Sequence, residues 1–393
     1  MNIAVVFEGD LEGGGGFQQQ LSTLIQLHES TQYSFTAFTF SKKNQLFLIE
    51  KGIDSVFVEL NFVDKLISFL LRQEYLHPFC AKIKLTSAFE KILEQKMIDL
   101  VYFLSPSFFS LELQKHNYLL TVWDLCHRDT PEFPEVNFFR EFEMRERLYT
   151  HSLKKAVAIL VDSDLGKNNV IRRYGIDAER IHIAPFSPSI NINLSLPIID
   201  IHKKYSIDGA YIYYPAQFWS HKNHVYIIDA IAILKREGIH LTAIFSGSDK
   251  GNLSHVLQYA QCKEVENNIK YIGFAPNEEI YSLYKSALAM VMPSYFGPTN
   301  IPPLEAFATE TPVVYSDLKG LREQVGNAAL LCNLDDPKTL ADHLRNLLIS
   351  SDLRESLIQN GRLRLRELEE TPTLNILKNI FDSFAIKAKC WKL

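Results

Sequence analysis

Eleven short apolar runs, spaced by longer segments of helical period, constrain this 393-residue chain more than any other feature. Six come first: Ile3 to Phe7, Phe35 to Phe40, Ser55 to Leu60, Leu100 to Leu104, Tyr118 to Trp123 and Ala156 to Val161. The rhythm restarts after residue 205 with Ala210 to Tyr214, Leu241 to Phe245, Ile269 to Ile272, Ala287 to Met292 and Pro312 to Tyr315. A strand that is apolar along its whole length must be covered on both faces, which in practice means parallel sheet sandwiched between helices. Between the two series, Phe186 to Asp200 carries Pro188, Pro197 and several Ser and Asn residues without helical period, and reads as a linker. The pattern predicts an α/β protein of two doubly wound, Rossmann-like domains, over 1–190 and 205–370, followed by a helix within 371–393. Such sheets bind ligands at the carboxyl ends of their strands, so two facing domains would enclose a cleft.

Composition narrows the function. With 47% hydrophobic residues there is material for two cores, and a net charge of -5 leaves no global basic footprint, so nucleic acid is not an expected partner. Small anions or neutral glycans, held locally, fit better. Five cysteines, odd in number, scattered and without a Cys-x-x-Cys pair, point to a reducing cytosol and not to a metal or redox centre. The start, Met-Asn-Ile-Ala-Val-Val-Phe, lacks the basic residues and apolar core of a signal peptide, and no apolar run approaches the roughly 18 residues of a membrane helix. A cytoplasmic location follows, peripheral to the inner membrane face at most. Lys82, Lys84, Lys91 and Lys96 and the tail Lys387 to Lys392 read either as a contact with an anionic membrane or as solvated helix faces.

Four segments carry chemistry. Glu12-Gly13-Gly14-Gly15-Gly16-Phe17-Gln18 follows the first strand, where glycines let backbone N–H groups approach an anion at a helix N-terminus, or simply make a turn. Pro215 to His224 follows the first strand of the second series and crowds Gln217, Trp219, His221, Lys222 and His224 into one turn. Lys222, beside a helix start, is placed to neutralise a diphosphate. Pro293-Ser-Tyr-Phe-Gly-Pro-Thr-Asn-Ile-Pro-Pro-Leu-Glu-Ala306 sets a proline-stiffened loop between strand and helix, with the amides of Thr299, Asn300 and Ile301 fixed before a ligand arrives. Glu305, at the helix start, suits a pair of vicinal hydroxyls, though a glutamate there also stabilises any helix. Thr121 to Asp129 ends a first-series strand with Asp124 and His127; the histidine either positions an acceptor hydroxyl or serves a structural hydrogen bond. Gly273-Phe274-Ala275-Pro276 follows another strand.

Together these motifs resemble the retaining glycosyltransferases of family 4, the glycosyl transferases group 1, in which a strand ending in Pro-Ser leads through a Glu-x7-Glu element to Leu-Glu-Ala. The resemblance is close from about Tyr213 to Arg364 and looser before it. Three positions depart from the pattern: Gly297 stands at the first glutamate, Gln217 at the usual arginine, and Trp123 at the usual histidine. The resemblance implies a GT-B fold whose last helix crosses back to the first domain. It also implies transfer of a sugar from a UDP- or GDP-linked donor to a glycan or lipid-linked hydroxyl, with retained configuration. Lys222, His127 and Asp124 would be the catalytic set, and Gly15, Gly16, Gln217, Phe274, Gly297, Thr299, Asn300, Ile301 and Glu305 the donor-binding set. Glu305 would hold the ribose and Phe274 would lie by the base. No metal and no cofactor beyond the nucleotide sugar is expected, since there is no Asp-x-Asp pair and no His/Cys ligand spacing. A catalytically silent GT-B subunit and a nucleotide-sugar epimerase on the same fold are the alternatives.

Overall fold

The computed structural model describes residues 1–393 apart from 10, 12, 13, 31, 190, 191, 193, 371, 392 and 393, and apart from the side chains of 74, 77, 78 and 81. Glu12 and Gly13 of the glycine loop, and the last tail lysine, therefore lie outside the described residues.

Every strand pairing is parallel. The first sheet contains β1 (Asn2–Val6), β2 (Ser34–Thr39), β3 (Ser55–Phe57), β4 (Leu100–Phe103), β5 (Asn117–Thr121), β6 (Ala158–Val161) and β7 (Ile181–Ile183), in the order β3-β2-β1-β4-β5-β6-β7. The second contains β8 (Tyr211–Pro215), β9 (Thr242–Ser246), β10 (Ile269–Tyr271), β11 (Ala289–Met292), β12 (Val313–Ser316) and β13 (Ala329–Cys332), in the order β10-β9-β8-β11-β12-β13. In both, the chain begins in the middle, winds to one edge and returns to wind to the other. The reversal falls between β1 and β4 in one sheet and between β8 and β11 in the other, and loops leaving those strands flank a crevice where such folds bind ligands.

The eleven apolar runs correspond to β1–β6 and β8–β12. The two strands they miss, β7 and β13, are edges. Ile181-His182-Ile183 is three residues long with a polar centre, and three of the four residues of Ala329–Cys332 are only partly buried, so neither shows a continuous apolar run.

The chain forms two compact units: residues 1–125, 140–185 and 371–393 in one, and 126–139 with 186–370 in the other. The last helix, Thr373–Ala388, buries Leu377, Ile380, Phe381 and Phe384, an i, i+3, i+4, i+7 stripe, in the first unit's core with Leu21 and Leu24. Residues 126–139 follow β5 in sequence yet pack Cys126, Phe133 and Val136 against Tyr295 and Phe296 of the second unit. No helix among the described residues is long and apolar enough to cross a membrane.

Candidate active site

In the second unit, two loops meet at the reversal of strand order. The first leaves β8 and ends in a single helical turn, Ser220–Lys222, with Asn223 at φ 56° opening the helix His224–Arg236. Tyr214, on β8, donates its hydroxyl to the Lys222 carbonyl at 2.7 Å, which fixes the turn to the sheet. The second leaves β11 and runs from Pro293 to Ile301 before the helix Pro302–Ala308. Ser316, at the end of β12, holds it by a 2.7 Å bond to the Ser294 carbonyl. The Tyr295 N–H donates to the His221 carbonyl at 2.9 Å, so the loops are tied backbone to backbone.

Lys222 Nζ donates to Asn300 Oδ1 at 3.4 Å. Asn300 is itself braced: its Nδ2 donates to the Phe296 carbonyl and the Tyr315 hydroxyl at 3.2 and 2.7 Å, and its backbone exchanges bonds with the Gln324 side chain at 3.0 and 2.6 Å. Its amide thus orients the ammonium by contacts within the protein. Gly297 has φ +104°, and a Cβ there would stand 2.7 Å from the Thr299 carbonyl oxygen. The loop in this conformation admits no side chain where the related motif has its first glutamate.

Glu305 lies in the first turn of the helix that follows, and its Oε2 accepts from the Tyr284 hydroxyl at 2.5 Å. Burial pushes its carboxyl up to about 7, against the pull of that bond. His224 is enclosed by Tyr214, Phe218 and Phe245, stacked on Phe218 with centroids 4.3 Å apart, and burial with the nearby Lys222 charge lowers it to about 3. It is neutral at physiological pH, and Lys222 carries the positive charge of this turn's pair. Gln217 Oε1 accepts from the Trp219 indole at 3.0 Å. Phe274, after β10, is exposed, while Ile301 is buried beneath the loop.

One contributor carries no local signal in the sequence. Glu135, in the segment 126–139, accepts from the His221 N–H at 2.8 Å and pairs with His221 Nδ1. Although burial opposes ionisation, the His221 bonds hold the Glu135 carboxyl below its ordinary value. The His221 ring stacks on Phe296 with centroids 3.9 Å apart, and the Gly297 N–H reaches Cys126 Sγ at 3.4 Å. The segment thereby clamps both loops next to Lys222. His127 belongs to it and is fully buried.

In the first unit, Gly15 and Gly16 open the helix Gly15–Glu29 after β1. A Cβ on Gly16 would lie 2.9 Å from the Trp123 ring, so the indole at the end of β5 rests on the glycine backbone. Asp124 pairs with Arg145, 3.3 Å away, and Arg145 also holds Glu141. Glu8, just beyond β1, is a second residue the motifs do not mark: burial pushes its carboxyl up to about 7, against a Ser107 hydrogen bond and the Arg72 charge. Asp124 and the glycines thus stand in one unit, and Lys222, His127 and the remaining donor-binding candidates in the other. Among the described residues no three His, Cys, Asp or Glu side chains group to hold a metal ion.

Residues 198–364 match the family model described as glycosyl transferases group 1. The O-antigen chain mannosyltransferase B of Escherichia coli is 26% identical over 288 residues, which cover 71% of this chain and 74% of that protein. The O-antigen chain mannosyltransferase RfbU of Salmonella typhimurium is 26% identical over 59% of this chain and 61% of its own length. Among solved structures, HepE of Anabaena in complex with UDP superposes with a TM-score of 0.71 over 98% of this chain and 100% of that one, at 16% identity. WaaG, a glycosyltransferase involved in lipopolysaccharide biosynthesis, does so at 0.66 over 93% and 95%, at 15% identity. The fold they share with this chain is GT-B.

Proposed function

The chain belongs to the glycosyl transferases group 1, and from that premise we propose that it moves a sugar from a nucleoside diphosphate donor to a hydroxyl of a growing surface glycan, with retention at the anomeric carbon. The observation that carries this reading is Lys222 held by the braced Asn300 at the β8/β11 reversal, with Glu305 in the first turn of the helix that ends the same loop. A cation there meets the charge that develops on a departing diphosphate, and a carboxyl accepts from two vicinal ribose hydroxyls. The names of the O-antigen relatives support a polysaccharide acceptor, and the UDP complex of HepE supports a nucleoside diphosphate.

In the proposed step the bond from the anomeric carbon to the diphosphate oxygen breaks and a bond to the acceptor oxygen forms on the same face. The acceptor proton passes to the leaving phosphate. Lys222 takes up the negative charge, which makes the step independent of a divalent cation, while the N–H groups of Tyr295, Phe296, Gly297 and Asn300 hold the loop itself through His221, Ser294, Cys126 and Gln324. Gly297 and Gln217 narrow the task to what these groups supply: the motif's first carboxylate and its arginine charge are absent, so orientation of the donor sugar falls to the loop backbone.

The test is a screen of UDP- and GDP-sugars against the purified protein, following melting temperature and release of the diphosphate with and without polysaccharide-type acceptors. A stabilising donor that is also turned over is the expected result. A protein that no UDP or GDP derivative stabilises and that turns over none of these donors would instead be a silent subunit. Conversion of a free donor sugar to its epimer without acceptor would make it an epimerase.

A further inference from the structure

The helix Phe62–Leu71 in the first unit is inside out. It is well formed, with a capping box in which Asn61 and Asp64 satisfy each other's backbone N–H groups. Its inner face is held partly by polar bonds: Ser68 donates to the buried Glu112 at 3.0 Å, and the following Arg72 donates to the same carboxylate at 2.8 Å. Its outer face is apolar. Phe62, Leu66 and Phe69, at i, i+4 and i+7, stand in solvent with Val63 beside them. A second stripe, Tyr75, Phe79 and Ile83 at i, i+4 and i+8, continues over the adjoining turn, the helix His77–Lys82 and the residue that follows it, anchored underneath by the buried Cys80. Exposure across the two stripes runs from 49% at Leu66 to 83% at Phe62, far beyond the scattered single apolar residues of an ordinary surface.

We infer that these two stripes form a docking face for an anionic lipid bilayer. The charge around them selects the occupant. With Arg72 given to Glu112, residues 61–85 leave Lys65, Lys82 and Lys84, all exposed, against Asp64 and Glu74, a net of +1 from three positive and two negative side chains, in a chain whose net charge is -5. Aromatic and aliphatic side chains projecting between lysines match the acyl boundary and the headgroups of a negatively charged surface. A second copy of the chain fits less well, because a two-fold contact would bring two faces that each carry Lys65, Lys82 and Lys84 together, like charge toward like. For the transferase proposed above, such a face would bring the enzyme to lipid-linked acceptors.

Docking is tested without sugar donor or acceptor, so its failure leaves the transferase reading standing. Full-length protein is sedimented with vesicles of phosphatidylglycerol and phosphatidylcholine and with vesicles of phosphatidylcholine alone. Binding to the anionic vesicles that weakens with salt is expected. The pair Phe69→Ser and Phe79→Ser, both on the solvent side, should lose at least about ten-fold in binding while keeping the circular dichroism and melting temperature of the wild type. Lys65→Glu with Lys82→Glu should lose a similar factor on anionic vesicles only. No binding to either vesicle, or equal binding by wild type and both double variants, overturns the inference. So does light scattering that shows a wild-type dimer dissociated by the Phe69→Ser and Phe79→Ser pair, for the face would then belong to a second copy.

Discussion

The two sheets reverse strand order in the same way, yet the loops at the two reversals are built from opposite materials. In the first unit a Trp123 indole lies on the backbone of Gly16, and Glu8 is partly buried beside Ser107. In the second, a lysine and a braced asparagine meet under two loops tied backbone to backbone, and Glu305 is held by a tyrosine. The topology supplies a crevice in both cases; in the second, loop composition sets a lysine held by a braced asparagine there to meet an anion.

The sharpest way to break that distinction is to remove the charge. Lys222→Ala should lower kcat for transfer and for donor hydrolysis by roughly 10²–10³-fold, with little change in melting temperature, because the lysine is only half-buried and its partner Asn300 keeps its other bonds. Unchanged kinetics would mean that the diphosphate charge is met elsewhere. Gly297→Glu is next in size. It places a side chain at φ +104° against the Thr299 carbonyl, and should cost about 1–3 kcal/mol of stability along with most of the activity. A variant that gained activity at full stability would show that the loop can adopt the conformation of the related motif.

Glu135 tests the clamp, not the charge. Glu135→Ala removes the carboxylate that accepts from the His221 N–H and ring, and should cost about 1–3 kcal/mol and lower kcat more than it raises donor KM, since it frees the turn that carries Lys222. An unchanged kcat would make the segment 126–139 a structural fitting only.

The residues so tested differ in how legible they were in the sequence. Strands and second-unit loops follow from local patterns: continuous apolar runs, and a Pro-Ser to Leu-Glu-Ala spacing that lies within a few turns of chain. Glu135 meets His221 across 86 positions, and nothing local in Pro-Glu-Phe-Pro-Glu announces that partner. The same limit applies to Asn300. Its loop suggests a sugar contact, whereas its amide is committed to Phe296, Tyr315 and Lys222, two of them distant in sequence. His127 falls in a strand-end segment that groups with the second unit, and its side chain is fully buried. Periodicity reports burial of an element; it carries no information on which loops that element will bring together.

The two partly buried carboxyls sharpen the comparison through pH. For Glu8 and Glu305 the folded value, about 7, lies above the ordinary 4.5. Between those values the unfolded chain has released the proton that the folded chain keeps, so stability falls as pH rises through this window, and the deficit is complete above 7. Glu8→Gln and Glu305→Gln should each raise the melting temperature at pH 8 relative to wild type and flatten its decline from pH 5, by about 3 kcal/mol at most. Nucleotide binding separates them. If ribose hydroxyls donate to Glu305, wild-type affinity for nucleoside diphosphate rises as pH passes 7; Glu305→Gln abolishes that rise and Glu8→Gln leaves it intact. A titration in which Glu8→Gln alone removed the rise would move the nucleotide to the first unit.

The smallest effect concerns the aromatic cover on the first glycine loop. Gly16→Ala adds a methyl 2.9 Å from the Trp123 ring, a clash expected to cost about 1–3 kcal/mol, but it also replaces glycine by alanine within a helix, which returns up to about 1 kcal/mol. The net loss of stability should therefore be modest. In Trp123→Phe the outer ring edge that meets the methyl is gone, so Gly16→Ala in that background should be neutral or stabilising, a change of sign that a double-mutant cycle reads directly. Additive losses would mean that the indole does not rest on Gly16, and that the glycine loop of the first unit is as open to an anion as the lysine-bearing loop of the second.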